Sequence, residues 1–123
     1  MITVPGFLLK RLYVKGSLCN TPEGFKFELK NSLGSGWGSE IFPLVVDGQE
    51  LPKEKSCFAV NGEELHFSEV CKEKPFTLAV NKTVTILVRG TTLSGGPHKV
   101  NFRFVAQGLG KLGFEVADVV SNA

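Results

Sequence analysis

The chain has 123 residues, 42% of them hydrophobic, and a formal net charge of +2 at pH 7. This size and composition predict a single domain, residues 1–123, with a buried core. The charge is nearly balanced and lacks the clustered basic face of a nucleic-acid-binding protein, and no apolar run approaches the roughly 18 residues of a membrane span. Nucleic acid and membrane are therefore not expected as partners.

The N-terminal residues and the cysteines bear on localisation. Residues 1–9 are apolar, but they lack a basic segment and are followed directly by Lys10 and Arg11, so a signal peptide is not expected. The three cysteines, Cys19, Cys57 and Cys71, lack close-paired spacing and favour reduced thiols over a disulfide framework. We therefore predict a cytoplasmic protein.

The N-terminal part of the chain predicts short strands broken by turns. Residues 7–14 favour a first strand, which ends at Gly16 and at the turn-forming residues 20–24. Residues 25–30 alternate between apolar and charged side chains, as expected of a strand with one buried and one solvated face.

The middle of the chain predicts a loop, a strand and two hairpins. Residues 34–39 (GSGWGS) predict a flexible loop, and residues 40–47 predict a strand in which Pro43 indicates an edge position or a bulge. Two similar segments follow, residues 46–51 (VDGQEL) and 60–65 (VNGEEL). Their Asp-Gly and Asn-Gly pairs tolerate the positive φ angles of a two-residue hairpin turn, so each segment predicts an antiparallel hairpin.

The C-terminal part of the chain completes an all-β pattern. Residues 76–79 predict a short strand, and residues 83–89, rich in β-branched side chains, predict a longer one. Residues 99–104 alternate again, and residues 111–116 form the last predicted strand. About eight strands at spacings of roughly 8–12 residues predict an antiparallel β-sandwich, immunoglobulin-like or jelly-roll-like.

The sequence offers no convincing constellation for catalysis. His66 and His98 are far apart, and no group of His, Cys and carboxylate residues has the spacing of a metal site. We therefore predict no catalytic residues, no metal and no cofactor. His98 follows Pro97 at the entrance of a predicted strand, where it either caps the turn or contributes to a binding surface.

The single tryptophan, Trp37, is the most distinctive candidate for recognition. It lies between Gly36 and Gly38 in the predicted loop, which lacks the Lys-Ser/Thr ending of a phosphate-binding loop. An exposed Trp could stack on a sugar or anchor a partner protein, because Trp is enriched in interface hot spots. The alternative is that Trp37 folds back and caps one end of the sandwich. Trp37, Gly36, Gly38 and His98 are thus the candidate binding or interface residues.

Five turn-forming motifs follow one another along the chain. They are KGSLCNT (15–21), GFKF (24–27), VDG with LP (46–52), FAVNG (58–62) and LSGGPHKV (93–100). In this order they resemble the small β subunit of bacterial C-glycoside deglycosidases and its uncharacterised relatives, over about residues 12–106.

The resemblance implies an antiparallel β-sandwich that acts as a non-catalytic accessory subunit. It also implies a partner, a larger TIM-barrel subunit that carries the metal and the catalytic residues of a sugar-processing carbon–carbon lyase. The chain departs from the family pattern in the glycine-rich residues 108–113 and in a reduced loop at Trp37. Two alternatives therefore stay open: a stand-alone carbohydrate-binding or other ligand-binding module, and a structural protein that self-associates into a homo-oligomer.

Overall fold

The structure, a computed structural model, describes residues 6–31, 36–60, 62–78 and 81–122. Within these residues the chain forms eleven strands, which confirms the all-β class expected from the sequence. The strands are, in chain order, β1 (Cys19–Asn20), β2 (Gly24–Lys30), β3 (Gly36–Ile41), β4 (Val45–Val46), β5 (Gln49–Glu50), β6 (Ser56–Val60), β7 (Glu63–His66), β8 (Phe76–Leu78), β9 (Thr83–Arg89), β10 (Gly96–Ala106) and β11 (Gly110–Asn122). The helical turns are α1 (Gly6–Leu9) and the 3₁₀ turns Lys10–Leu12, Lys53–Lys55 and Phe67–Glu69.

The strands belong to one hydrogen-bonded sheet. Its order is β5-β4-β10-β11-β1-β2-β9-β6-β7, and β3 pairs with both β10 and β8. All of these pairs are antiparallel except β1 with β11, which run parallel. The short β1 therefore joins two halves of the sheet: one half is built on the β10–β11 hairpin, and the other on β2, β9 and β6.

The two halves pack against each other through aromatic side chains. Phe58 of β6 stacks on Phe76 of β8 with ring centroids 4.9 Å apart, and meets Phe102 of β10 edge-on at 6.5 Å. Phe27 of β2 and Phe114 of β11 both contact the ring of Tyr13, at 5.4 and 6.5 Å. Burial of these rings removes a large apolar area from water and holds the two halves of the sheet together.

Both predicted hairpin turns are present. Asp47 (φ 53°) and Gly48 (φ 83°) occupy the two central positions between β4 and β5, as a type I′ turn requires. Strands β6 and β7 pair from Val60 and Glu63 outward, with Gly62 at φ 83°. Sequence alternation also located β2 correctly, and the β-branched residues located β9, and each strand buries alternate side chains over most of its length.

The predicted first strand over residues 7–14 is wrong. These residues begin with α1 and continue into the 3₁₀ turn Lys10–Leu12. Leu9, Leu12 and Tyr13 are all buried. Their spacing is the i, i+3, i+4 pattern of one helical face rather than the alternation of a strand.

The predicted strand over residues 40–47 is divided in two. Strand β3 ends at Ile41 and β4 begins at Val45, and both pair with β10. The register with β10 shifts by one residue between them, around Pro43, in agreement with the bulge that this proline indicated. Short pieces such as β4, β5 and β8 explain why there are eleven strands where about eight were expected. The immunoglobulin-like or jelly-roll-like arrangement stays a prediction.

Candidate functional site

Trp37 lies in a strand and not in a flexible loop. Residues 36–39 belong to β3, so the predicted loop is wrong for them, while residues 34 and 35 lie outside the described residues. The Trp37 side chain is 53% exposed, and its backbone oxygen accepts a hydrogen bond from the N–H of Gln107 at 3.0 Å. The strand therefore holds a large aromatic side chain out towards solvent on a fixed backbone.

Strand β8 lies beside Trp37 and ends the sheet. Trp37 pairs with Thr77, so the two exposed side chains point to the same face. Among the described strands, β8 pairs with β3 alone, which leaves its other edge open. We call Trp37, Thr77 and this open edge the Trp37 surface.

A cleft of about 410 Å³ borders the open edge of β8. Phe76 and Thr77 of β8 line it together with residues of β6 and β7. Its walls are largely apolar, with Phe58, Leu65 and Val84 among them, and the exposed charged residues Glu63, Glu64 and Lys74 also line it. The Trp37 surface thus continues into an apolar groove with a charged rim, the arrangement typical of binding surfaces.

The two glycines beside Trp37 differ in how closely other atoms pack against them. A Cβ atom on Gly38 would lie 1.9 Å from Cε1 of Phe76, so the ring packs directly onto the glycine backbone. A Cβ atom on Gly36 would meet nothing within 4 Å. Gly38 therefore lets β8 and its Phe76 ring dock onto β3, whereas Gly36 has no such packing role among the described residues.

His98 is buried and fully engaged inside the protein. Its Nδ1 lies 2.6 Å from Oδ2 of Asp47, and its Nε2 lies 2.7 Å from the backbone oxygen of Ser94. These two acceptors raise the pKa of His98, Ser94 having the larger effect, because the charged ring donates to both. Hydrogen bonds from the N–H of Lys99 and from His98 lower the pKa of Asp47. The ring has no nitrogen left for a ligand, and its contacts match the turn-capping alternative.

A buried carboxylate, Asp118, joins the two ends of the described chain. It accepts hydrogen bonds from the Tyr13 hydroxyl at 2.7 Å and from the N–H of Gly16 at 2.9 Å. Burial opposes its ionisation, but these bonds and those from Val119 and Leu18 outweigh that effect and lower the pKa of Asp118. Burial and the neighbouring carboxylate raise the pKa of Tyr13. The Asp118 carboxylate and its hydrogen-bond donors therefore stabilise the fold.

Cys57 is buried on the outer face of β6, beneath a cluster of charged side chains. Arg89 donates to the Cys57 Sγ at 3.4 Å, to Glu23 at 2.8 Å and to Glu64 at 3.1 Å. Burial raises the pKa of Cys57, which disfavours the reactive thiolate. Cys19 and Cys71 are also free thiols.

Asp47, Asp118 and Arg89 were missed as partners in the sequence because nothing marks them locally. The two atoms of the Asp47–His98 contact belong to residues 51 apart, and those of the Tyr13–Asp118 bond to residues 105 apart. Within the described ranges, no three His, Cys, Asp or Glu side chains are grouped in a way that could hold a metal ion.

Comparison with known protein families gives one match. A family model described as hydroxymethylglutaryl-CoA reductase, N-terminal domain, matches residues 8–121. The chain belongs to this family. The match covers all eleven strands except the last residue of β11. No curated protein matches the chain.

The family match does not bear on every prediction. The resemblance to the β subunit of C-glycoside deglycosidases stays a prediction, as does a cytoplasmic location. In the part of the chain that the structure describes, no helix is long and apolar enough to cross a membrane.

Proposed function

We propose that the chain is a non-catalytic accessory domain that packs against a larger catalytic unit through the Trp37 surface. The observation that supports this most directly is the exposure of Trp37 beside an open strand edge and an apolar cleft. Covering such a side chain removes apolar area from water, at roughly 25 cal/mol per Å². An open edge offers backbone groups to which a partner segment can bind.

The titratable groups inside the chain support the same proposal. His98, Asp118 and Cys57 are three buried groups whose chemistry would suit catalysis. Each is buried, and each contacts neighbours that stabilise the fold. A general base must reach its substrate proton directly or through one water, and these groups are engaged with the protein itself. In this proposal the partner supplies the catalytic residues.

Two catalytic units are candidates for the partner. The resemblance noted in the sequence favours a metal-dependent, sugar-processing TIM-barrel subunit of the C-glycoside deglycosidase type, which would make the complex a carbon–carbon lyase. The family description, an N-terminal domain of hydroxymethylglutaryl-CoA reductase, makes a reductase the second candidate. With either partner, the proposal gives this chain no chemistry of its own.

Native mass spectrometry of the tagged chain, purified from its own cells, tests the proposal. We expect a stoichiometric complex with a larger chain, whose sequence and activity then distinguish a sugar-processing enzyme from a reductase. Trp37→Ala should remove the larger chain from the complex. Val119→Ala is the matched control, because Val119 is a similarly exposed apolar side chain on a different strand, 59% accessible.

Other outcomes would overturn the accessory role. A monomer without partner, with Trp fluorescence that shifts on adding a glycan, would favour a stand-alone carbohydrate-binding module. A homo-oligomer that Trp37→Ala dissociates would favour self-association through the open edge of β8, since exposed edges readily pair with one another. Retention of the larger chain by Trp37→Ala would place the interface elsewhere.

A further inference from the structure

Two cations meet on the outer face of the β10–β11 hairpin, in a region that the accessory role does not use. The Cζ of Arg103 lies 5.6 Å from the ring centre of Phe42, and the Nζ of Lys111 lies 4.6 Å from the same centre. Both distances fall within the range of cation–π contacts. One half-buried ring therefore gathers two positive charges that come from neighbouring strands.

Neither cation forms an ion pair with another described residue. The ion pairs of the described residues involve His66, Lys74, Arg89 and His98, and none includes Arg103 or Lys111. Two like charges held against one ring repel each other. An anion bound between them would attract both cations and so offset this repulsion.

The surface beside these cations is shaped as a shallow depression. It has a volume of about 370 Å³, and Arg103, Lys111, Asn101, Gly113 and Glu115 are among its lining residues. Gly113 is the register partner of Arg103, and a Cβ atom on Gly113 would lie 2.8 Å from Cγ of Arg103. The glycine thus leaves room for the arginine stem to lie across the strand.

Two residues that line this depression each have a buried side-chain atom without a hydrogen-bond partner. Nε of Arg103 is buried without an acceptor, and Oδ1 of Asn101 is buried without a donor. Buried polar atoms nearly always have a hydrogen-bond partner in folded proteins, and an unpartnered buried cation donor is especially unfavourable. The pair of unsatisfied atoms faces the same side of β10, because the two residues are separated by one buried residue, Phe102.

We propose that this depression binds a phosphate group, with Arg103 and Lys111 as its ligands. The guanidinium offers the fork of donors that suits a phosphate, and the lysine adds a second charge that matches a dianion better than a monoanion. Glu115 lines the same depression and opposes the anion, which sets an upper limit on its affinity. This site goes beyond the accessory role, because the chain binds the anion without a catalytic partner.

Titration of the full chain with inorganic phosphate, followed by two-dimensional NMR at constant ionic strength, tests the site. We expect saturable shifts centred on Arg103, Lys111 and Gly113. Removal of one charged ligand in Arg103→Met or Lys111→Met should weaken binding about tenfold. Removal of the opposing charge in Glu115→Gln should strengthen it, roughly threefold. Lys26→Met, an exposed lysine on the outer face of β2, is the matched control and should change nothing.

The opposite outcomes would overturn the proposal. Shifts that do not saturate, or that Lys26→Met weakens as much as Lys111→Met does, would show only diffuse attraction to a cationic surface. Acetate binding as tightly as phosphate would replace the phosphate site by a general carboxylate site. A well-dispersed spectrum of each variant confirms that it is folded, and Lys111→Met keeps the test decisive if Arg103→Met unfolds. Phosphate binding and co-purification of a larger chain are separate measurements, so either proposal can fail alone.

Discussion

Gly38 and Phe76 face each other across the β3–β8 pair, and the phenyl ring occupies the space that a larger residue at position 38 would need. The ring is also part of the central aromatic group, stacked on Phe58 and packed edge-on against Phe104 at 5.7 Å. A single hydrogen atom in place of a methyl group thus decides whether β8 can close over the core.

Gly38→Ala is expected to destabilise the fold by about 1–3 kcal/mol, because an added methyl in a packed core forces side chains off their preferred positions. Gly36→Ala should stay within about 0.5 kcal/mol, since its methyl would have open space. Urea denaturation of both variants measures the difference. Equal stabilities would mean that the Phe76 ring moves aside without penalty.

The His98–Asp47 contact makes stability depend on pH in a defined direction. The pKa of His98 is raised above its ordinary 6.5, so its contribution is complete below pH 6.5 and is lost as the pH rises through the higher folded value. The pKa of Asp47 is lowered below 3.8, so its contribution is present above 3.8 and is lost as the pH falls through the lower folded value. The pair therefore contributes most in mildly acidic solution, between these limits.

His98→Gln is expected to lose about 1 kcal/mol relative to the native chain in mildly acidic solution, a loss that shrinks as the pH is raised above neutrality. The free energy of unfolding at a series of pH values, for both proteins, measures this. His66→Gln is the control, because His66 is partly exposed at the edge strand β7. A His98→Gln loss that grows at high pH would show that the neutral ring is the stabilising form.

Among the strands, the length of the hydrogen-bonded pairing distinguishes those that should resist local opening from those that should open readily. Strands β10 and β11 pair at every position from Gly96 to Ala106, and Val100, Phe102 and Phe104 are buried between them and the opposite half. Strand β8 has three residues and one neighbour among the described strands. Local opening should therefore be rare in the hairpin and frequent in β8.

Amide hydrogen exchange is expected to follow this division. The N–H groups of Phe102 and Phe104 should exchange only through global unfolding, whereas that of Thr77 should exchange faster by at least about a hundredfold. Binding of a partner to the Trp37 surface should slow exchange at Thr77 and leave the hairpin unchanged. Protection of Thr77 equal to that of the hairpin in the isolated chain would contradict an open β8 edge.

Much of this element pattern could be derived from the sequence, and the reasons for the failures are physical. Alternation located β2, β-branched residues located β9, and Asp-Gly and Asn-Gly located both hairpins, because these rules act over a few residues. Residues 36–39 of β3 were missed because the glycines there weaken local strand propensity, and the conformation of this segment depends on hydrogen bonds to β8 and β10. The polar contacts of His98 and Asp118 were missed for the same reason, since each depends on a residue remote in the chain.

At the scale of the molecule, the two halves of the sheet are joined where the ends of the described chain meet. Strand β1 pairs in parallel with β11, Cys19 opposite Ser121, and the Tyr13–Asp118 bond lies in the same region. Ser121 also donates its N–H to the backbone oxygen of Leu18 at 2.9 Å. These contacts couple the N-terminal turn to the last strand, so a substitution that breaks them should destabilise both halves of the sheet together.

Asp118→Asn is expected to destabilise the protein by about 2 kcal/mol at neutral pH, because it weakens charge-assisted bonds to buried donors. Its effect should fade as the pH falls through the lowered pKa of Asp118, where the native carboxylate also loses its charge. Thermal unfolding monitored by circular dichroism provides the measurement, with Tyr13→Phe as a milder control that removes one donor. A loss for Tyr13→Phe as large as that for Asp118→Asn would assign the stability to the tyrosine bond alone.

The parallel β1–β11 pair has a consequence for folding of the chain during its synthesis on the ribosome. Residues 110–122 are made after the other ten strands, yet they supply the strand that connects β10 to the half containing β1. Until that segment has left the exit tunnel, β10 has no β11 to pair with and the two halves lack their link. The nascent chain must then expose apolar strand surface, the state on which chaperones act and from which aggregation begins.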